Sequence, residues 1–427
     1  MKLRSDLKTF YKFSGVLSIS ELGNNMSYFT LILFVSQVLY NDKPNLGIAL
    51  SLISLFFVLP NILIAPLAGV YADRLSKRKI IITTDMLNFI CSFSLFILVL
   101  NGWVDLYSIL VYQLFTSIFK AFHHAAFSSS QYTLLPKDYI SKGNGFIQMS
   151  WSAARVLSPS ISIFVIYLPH KLYSASLQTG YAFIFLLDGI TFLLSILVIS
   201  QIKIPQFNKK ASKSRTVKKD IYEGILFFKS NKFLLNLLLS FTLFNLITPI
   251  FPVLIPVLLK AETSPLSFET KLTIINTLAS FGGILGGILM TLWGGIKKKI
   301  YGVFLPMIIA SAFIVTFGST NIFYCFVISM VMINFMIPIM NTHSQSIWQI
   351  NTPTEIQGRV FTVRRVVAQI SWPLSTAIAG LIADGGISKP FLIISGLILM
   401  LYSFGQFFIS GTGLKRKTTM DEGNTIN

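Results

Sequence analysis

The stretch LGIALSLISLFFVLPNILIAPLAGVYADRLSKRKIIITTDMLNFICSFSLFILVLN, residues 46–101, decides the fold of this chain. It contains two long apolar runs, 46–71 and 80–101, which flank a short basic segment. A helix needs about 20 apolar residues to cross a bilayer. We therefore predict two transmembrane helices that are joined by a short basic turn at the membrane surface.

The same pattern continues through the whole chain. Its 427 residues are 53% hydrophobic and only 12% charged, with a mean hydropathy of +0.70. Such a composition leaves too little polar surface for a soluble globule. We predict an all-α integral membrane protein with twelve transmembrane helices, at residues 13–38, 46–71, 80–101, 104–126, 143–168, 178–201, 230–259, 268–295, 298–318, 320–345, 360–384 and 389–411.

The longest hydrophilic interval, 202–229, is basic and divides the chain in the middle. Many transporters are built from duplicated helix bundles around a central site. We predict two six-helix bundles, with the chain divided into an N-terminal bundle (1–201), a cytoplasmic linker (202–229), a C-terminal bundle (230–411) and a cytoplasmic tail (412–427).

The 35 basic residues lie mostly on alternate connections between the apolar runs. Because Lys and Arg are retained on the cytoplasmic side of short loops, both termini are expected in the cytoplasm of a bacterial plasma membrane. This assignment also places Lys120 on the cytoplasmic side. The net charge of +19 then faces anionic lipid, which explains the charge without a nucleic-acid partner.

Ionisable side chains within membrane spans are costly and are therefore functional candidates. Glu21, Asp85 and Asp188 are the candidate acids within predicted spans, and Arg155 is their deep basic counterpart. We predict proton coupling at Glu21, Asp188 and Arg155. Structural hydrogen bonding is the open alternative for Glu21, and pairing with Arg155 or with a helix terminus is the open alternative for Asp188. Asp85 lies near the inner surface, where a structural role is favoured.

The segment Gly69-x-x-x-Asp73-Arg74-x-x-Lys77-Arg78-Lys79 resembles the signature loop of the major facilitator superfamily. Ser76 stands where that signature usually has Gly. PTEIQGRVFTVRR (353–365) and FLLDGITFLLS (185–195) resemble the macrolide efflux branch of the drug:proton antiporters. The resemblance implies two bundles that rock about a central cavity, with the first, fourth, seventh and tenth spans around it.

Conformational gating residues are expected in the basic loop, in the related loop before the eleventh span, and at the Ser-Pro pair of the fifth span. A helix-end glycine permits close packing, an acid can meet a helix N-terminus, and basic residues anchor to phosphate. The predicted gating set is Gly69, Asp73, Arg74, Arg78, Lys79, Glu355, Gly358, Arg359 and Pro159.

The substrate wall is predicted where pliable apolar side chains alternate with amides, because this mixture suits bulky amphiphilic ligands. Plain packing of the Met and aromatic residues stays open as the alternative. His123 and His124 are adjacent on one helix and are expected not to face the same site, and no metal site is expected. The predicted substrate residues are Asn24, Asn25, Tyr28, Asn245, Asn334, Met336, Met340 and Asn341.

These features favour a monomeric secondary transporter that exports amphiphilic, macrolide-like compounds in exchange for protons. Export of a siderophore, a peptide or another metabolite is the alternative, as is proton-coupled import by the same fold. No Gly-x-x-x-x-Gly-Lys-Ser/Thr sequence occurs, so we expect the proton gradient rather than ATP or a cofactor to supply the energy. An enzyme is not expected, because catalytic residue types do not cluster at one membrane depth.

Overall fold

The computed structural model describes residues 2–41, 43–134, 140–173, 176–202, 226–228, 230–260, 262, 266–352 and 357–423. Within these residues the secondary structure is helical. The α-helices are α1 (Lys2–Phe34), α2 (Leu46–Arg74), α3 (Lys77–Leu100), α4 (Leu106–Leu134), α5 (Ile140–Tyr173), α6 (Leu177–Gln201), α7 (Lys232–Ile247), α8 (Phe251–Lys260), α9 (Phe268–Trp293), α10 (Tyr301–Ser319), α11 (Phe323–Asn351), α12 (Gln357–Asp384) and α13 (Ser388–Gly423).

The described part of the chain thus holds 13 α-helices, one more than the number of predicted spans. The difference arises in the seventh predicted span, where a 3₁₀ turn at Thr248–Ile250 separates α7 from α8. Pro249 lies in this turn and has no backbone N–H, so it interrupts the regular hydrogen-bond ladder. The count of twelve spans and their division into two six-helix bundles stay predictions.

Nine segments of the described residues are long and apolar enough to cross a membrane, one of which comprises α7 and α8 together. The predicted spans missing from this set are 13–38, 104–126 and 360–384. They are helical, as α1, α4 and α12.

The helices of each half pack mainly on one another. In the first half α1 packs on α5 and α6, α2 on α4, and α3 on α4 and α6. In the second half α11 packs on α9 and α10, and α10 also packs on α13. The two halves meet where α2 contacts α12 and where α5 contacts α9.

Close contact between α9 and α11 depends on two glycines. A Cβ atom added to Gly282 or Gly286 would collide with the backbone carbonyls of Val331 or Phe335. Small residues at this spacing allow two helix backbones to approach closely within a membrane. The Gly-x-x-x-Gly spacing of this helix therefore produces a tight contact with α11.

The predicted linker 202–229 lies largely outside the described residues. At the other end of the chain, α13 continues to Gly423, past the predicted end of the last span at residue 411. The division of the chain into domains stays a prediction.

Candidate functional site

A cavity lies between the two halves of the chain. Including its open mouth it encloses about 660 Å³. Its wall comes from α1, α5, α8 and α9, and consists of Asn25, Tyr28, Phe29, Ile32, Arg155, Ser158, Pro159, Pro252, Ile255, Pro256, Leu272, Asn276 and Ser280. We call it the central cavity. Its mixture of apolar side chains, amides and one cation suits an amphiphilic ligand.

Several polar groups of the central cavity are held by bonds within the protein. Asn25 Nδ2 donates to the carbonyl oxygen of Glu21 at 2.6 Å, and Asn276 Nδ2 donates to that of Leu272 at 2.8 Å. The hydroxyls of Tyr28 and Ser54 are 3.0 Å apart. Each amide nitrogen thus uses one of its two N–H donors in these bonds, and the amide oxygens are acceptors for a ligand.

Glu21 lies in a second cavity, inside the first half of the chain. Its Oε1 is 3.2 Å from the ammonium of Lys120, and each of these side chains is about one quarter exposed. The choice of Arg155 as the deep basic counterpart of the acids is wrong for Glu21, because Lys120 of α4 provides the cation. The cytoplasmic side expected for Lys120 stays a prediction. Lys120 falls within the predicted span 104–126, so the rule for ionisable residues in spans would have found it.

His123 and His124 both line the cavity that contains Glu21. The expectation that they could not face one site is wrong, because two side chains about 100° apart on a helix can both border a cavity that extends around it. Among the described residues, no group of three His, Cys, Asp or Glu side chains is placed to hold a metal ion.

Asp188 is fully buried where four helices of the first half meet. Its Oδ2 accepts hydrogen bonds from Ser27 Oγ and Ser92 Oγ, each at 2.9 Å, and from the hydroxyl of Tyr112 at 3.4 Å. Its Oδ1 faces Gly23, where an added Cβ would lie 2.6 Å away. The carboxyl group therefore links α6 to α1, α3 and α4 through uncharged hydroxyl donors.

Asp85 is also fully buried. Ser195 Oγ donates to its Oδ2 at 2.6 Å, and His123 Nε2 lies 3.3 Å from its Oδ1. Asp85 therefore joins α3 to α4 and α6, in keeping with the structural role that its position favoured.

Much of the predicted gating set lies outside the described side chains. The side chains of Asp73, Arg74, Gly358 and Arg359 are not described, and Glu355 lies outside the described residues altogether. Arg78 donates to the carbonyl of Ser200 on α6, Lys79 is exposed, and Pro159 lines the central cavity.

Two details of the basic loop concern Gly69 and Ser76. A Cβ added to Gly69 would meet no described atom within 4 Å, so the close packing expected at this glycine is absent among the described residues. Ser76, which replaces the usual Gly, has its own role as the N-cap of α3, and its Oγ accepts from the backbone N–H of Lys79 at 3.5 Å. A serine is among the favoured residues at this position.

A contact that the sequence did not predict joins the halves at the other end of α2. The carboxylate of Asp384, at the C-terminus of α12, accepts hydrogen bonds from the backbone N–H groups of Gly47 and Ile48, each at 2.8 Å. Gly47 packs so closely on Ala383 that an added Cβ would collide with it. Ser51 Oγ donates to the carbonyl of Thr376 one turn farther along. We call these contacts the Asp384 latch.

The predicted substrate residues divide into groups. Asn25 and Tyr28 line the central cavity, whereas Asn24 lines the cavity of Glu21. Met336 and Met340 are 7% and 1% exposed and pack in the hydrophobic core in this conformation. Asn334 donates to the carbonyl of Met330, Asn245 is half-buried and Asn341 is exposed.

Comparison with known proteins adds to this geometry. The profile of the family described as Major Facilitator Superfamily matches residues 14–376. The chain is 23% identical over 380 residues to macrolide efflux protein A of Streptococcus pyogenes, covering 87% of this chain and 90% of that protein. It is 25% identical over 345 residues to a putative bacilysin exporter of Bacillus subtilis, covering 78% and 80%.

Solved structures share the fold. The nucleoside transporter NupG matches with a TM-score of 0.67 at 13% identity, covering 94% of this chain and 98% of its own. A bacterial homologue of the iron transporter ferroportin, in an inward-facing state, matches with a TM-score of 0.67 at 13% identity, covering 94% and 99%. At these identities the likeness extends to the fold alone.

Proposed function

Because this chain belongs to the major facilitator superfamily, as a multi-pass membrane transporter of its macrolide efflux branch rather than an enzyme, we propose that it exports amphiphilic small molecules in exchange for protons. Macrolide-like antibiotics are the first class to consider. The observation that carries the proposal is the central cavity, whose amides and apolar side chains come from both halves of the chain. The protein works as a monomer with twelve spans in two bundles, and the proton gradient supplies the energy.

The Asp384 latch indicates which side of the protein is closed in this conformation. By the distribution of basic residues, the end of α2 at Gly47 faces the outside and the loop 69–79 faces the cytoplasm. The latch then closes the outer side in this conformation. Export requires that the halves separate at the latch and meet at the cytoplasmic end, where Asp73, Arg74, Arg78, Lys79, Glu355, Gly358 and Arg359 stabilise the outward-facing state, while Pro159 allows α5 to bend.

Proton coupling rests on Glu21 and its partner. The 3.2 Å pair with Lys120 holds a carboxylate that can exchange its cation for a proton. When Glu21 takes a proton, Lys120 loses its counter-ion and must move or find another. Asp188 is the second acid in this proposal, since its Oδ2 accepts hydrogen bonds from uncharged hydroxyls. Arg155 lies apart from both, in the central cavity.

A second candidate is export of a peptide or another metabolite, which the similarity to putative bacilysin exporters favours. A siderophore exporter or a proton-coupled importer would use the same cavity and the same alternation. These candidates differ in the direction of transport and in the substrate.

The test is accumulation of radiolabelled erythromycin in cells that express the chain, with and without a protonophore. Lower accumulation that the protonophore reverses is the expected result. Glu21→Gln should abolish drug-induced proton release, whereas Glu269→Gln, in the first turn of α9, is the matched control and should leave it unchanged. Unchanged accumulation in cells with verified expression would refute macrolide export and leave the second candidate.

A further inference from the structure

The central cavity contains a cation with no matching anion among the described residues. Arg155 is exposed on the cavity wall, and the hydrogen bond of its guanidinium to a described residue goes to Ser152 Oγ at 3.5 Å. Arg155 lies about 18 Å along the predicted span 143–168, at roughly 1.5 Å per residue. A guanidinium at membrane depth is expected to have a carboxylate, a phosphate or water as its partner.

No acid with a described side chain is paired with Arg155. Glu269 lies near Tyr167, and Tyr167 is about 18 Å farther along α5 than Arg155 at roughly 1.5 Å per residue. The other acids with described side chains have the following partners: Glu21 with Lys120, Asp85 with Ser195, Asp105 with Ser108, Asp188 with three hydroxyls, Glu262 with Lys271, and Asp384 with the first turn of α2.

The rest of the wall indicates what else a ligand must carry. Phe29, Ile255 and Leu272 provide an apolar surface beside Arg155. The side-chain nitrogens of Asn25 and Asn276 are bound to backbone carbonyls, which leaves amide oxygens as acceptors. The described wall thus offers one cation, amide oxygens that accept from N–H groups, neutral amide and hydroxyl donors, and an apolar face. It offers no carboxylate to an amine.

We propose that the transported substrate is an amphiphile with a carboxylate, which Arg155 binds, and with an apolar body that lies against Phe29, Ile255 and Leu272. N–H groups of the substrate donate to Asn25 and Asn276. N-acyl amino acids and short apolar peptides have this chemistry. The inference rests on the proposed function in one respect, that the central cavity is the substrate site. It narrows the substrate toward the second candidate, a peptide or another metabolite, because a basic macrolide brings an amine and no carboxylate.

The planar guanidinium of Arg155 is expected to make binding specific for a carboxylate. It binds a carboxylate through two parallel N–H donors, and such charge-assisted bonds are about twice as strong as neutral ones. Lys in the same place would keep the charge but lose the paired donors. Binding of the carboxylate should therefore depend on the shape of the cation as well as on its charge.

The test measures binding to the purified full chain in lipid nanodiscs by calorimetry. The ligands are N-octanoyl-phenylalanine, its carboxamide and erythromycin. The wild-type protein should bind the acid at least tenfold more tightly than the carboxamide. Arg155→Gln should remove this preference and leave carboxamide binding unchanged, which also shows that the variant is folded. Arg155→Lys should keep part of the preference, and Lys171→Gln, on the same helix outside the cavity, should keep all of it.

Equal affinity for the acid and the carboxamide in the wild-type protein would overturn the inference. So would a preference that survives in Arg155→Gln or is lost in Lys171→Gln, tighter binding of erythromycin than of the acid, or no binding of either phenylalanine derivative at millimolar concentration. The assay needs neither export nor a proton gradient. A failure of drug export or proton coupling in cells is therefore distinguishable from a failure here.

Discussion

Asp384→Ala should shift the protein toward an outward-open conformation. The substitution removes two hydrogen bonds of 2.8 Å to the first turn of α2. Loss of a side-chain acceptor at a helix N-terminus costs about 0.5–2 kcal/mol, and loss of a favourable charge at the helix dipole costs about 0.3–1 kcal/mol. Because the contact joins the two halves, its loss destabilises the conformation in which the outer side is closed. A change of about 1–2 kcal/mol alters the ratio of the two conformations about 5- to 30-fold.

The measurement is the distance between two spin labels at the outer end, one on each half. Trp103 and Tyr324 are suitable sites because they are 71% and 70% exposed. Each would be replaced by Cys in a variant that lacks Cys91 and Cys325, the two native cysteines. Pulsed dipolar spectroscopy should show that a longer distance gains population in Asp384→Ala. In Asp384→Asn the population of this longer distance should lie between those in Asp384→Ala and in the wild type.

Asp105→Ala is the matched control. Asp105 lies at the same end of the molecule, and its described bonds are to Ser108 of its own half. Its removal should leave the distance distribution unchanged. An unchanged distribution in Asp384→Ala, or an equal shift in Asp105→Ala, would show that the latch does not hold the outer side closed.

Three further predictions concern the interior. Lys120→Met should lower thermal stability and proton release, and adding Glu21→Gln should restore part of the stability. The coupling energy of the two substitutions in a double-mutant cycle should be about 1–3 kcal/mol. Purely additive losses would show that the ion pair contributes nothing to stability. Asp188→Leu should lower the free energy of unfolding by about 1–3 kcal/mol, because it leaves buried hydroxyls without their acceptor. Asp188→Asn should lower it less. Equal melting temperatures for Asp188→Leu and Asp188→Asn would contradict this role of the acceptor. Gly286→Val should lower the yield of folded protein because the side chain meets the backbone at Phe335, whereas Gly287→Val enters open space and should be tolerated; similar yields would refute close packing of α9 on α11.

The helices could be predicted from the sequence because each depends on local features. Apolar runs of about 20 residues must satisfy their backbone groups within the membrane, and a helix does so without a partner. The break at Pro249 also has a local cause, since proline lacks the N–H that the ladder needs. The tight contact at Gly282 and Gly286 follows from residue size and spacing.

The site was less predictable because it depends on which helices meet. The ion pair of Glu21 with Lys120 joins residues 99 positions apart, and the latch joins Gly47 to a residue 337 positions away. Nothing in a single sequence assigns such partners. Depth along the predicted spans favours Arg155 as the basic partner of Glu21, whereas the packing of the helices brings Lys120 to it. Met336 and Met340 show the same limit, since a flexible apolar side chain suits a binding wall and a core equally well.

The Asp384 latch has a consequence for the folding of α2 itself. The residue that precedes this helix, Asn45, has a left-handed backbone and makes no capping bond with its side chain. The first turn of α2 therefore takes its cap from the opposite half of the protein, and separation of the halves leaves two backbone N–H groups without it. Uncapped first turns fray easily. Outward opening would then include local unwinding of α2 at Gly47 and Ile48, and amide hydrogen exchange at those residues would report how often the protein visits the outside.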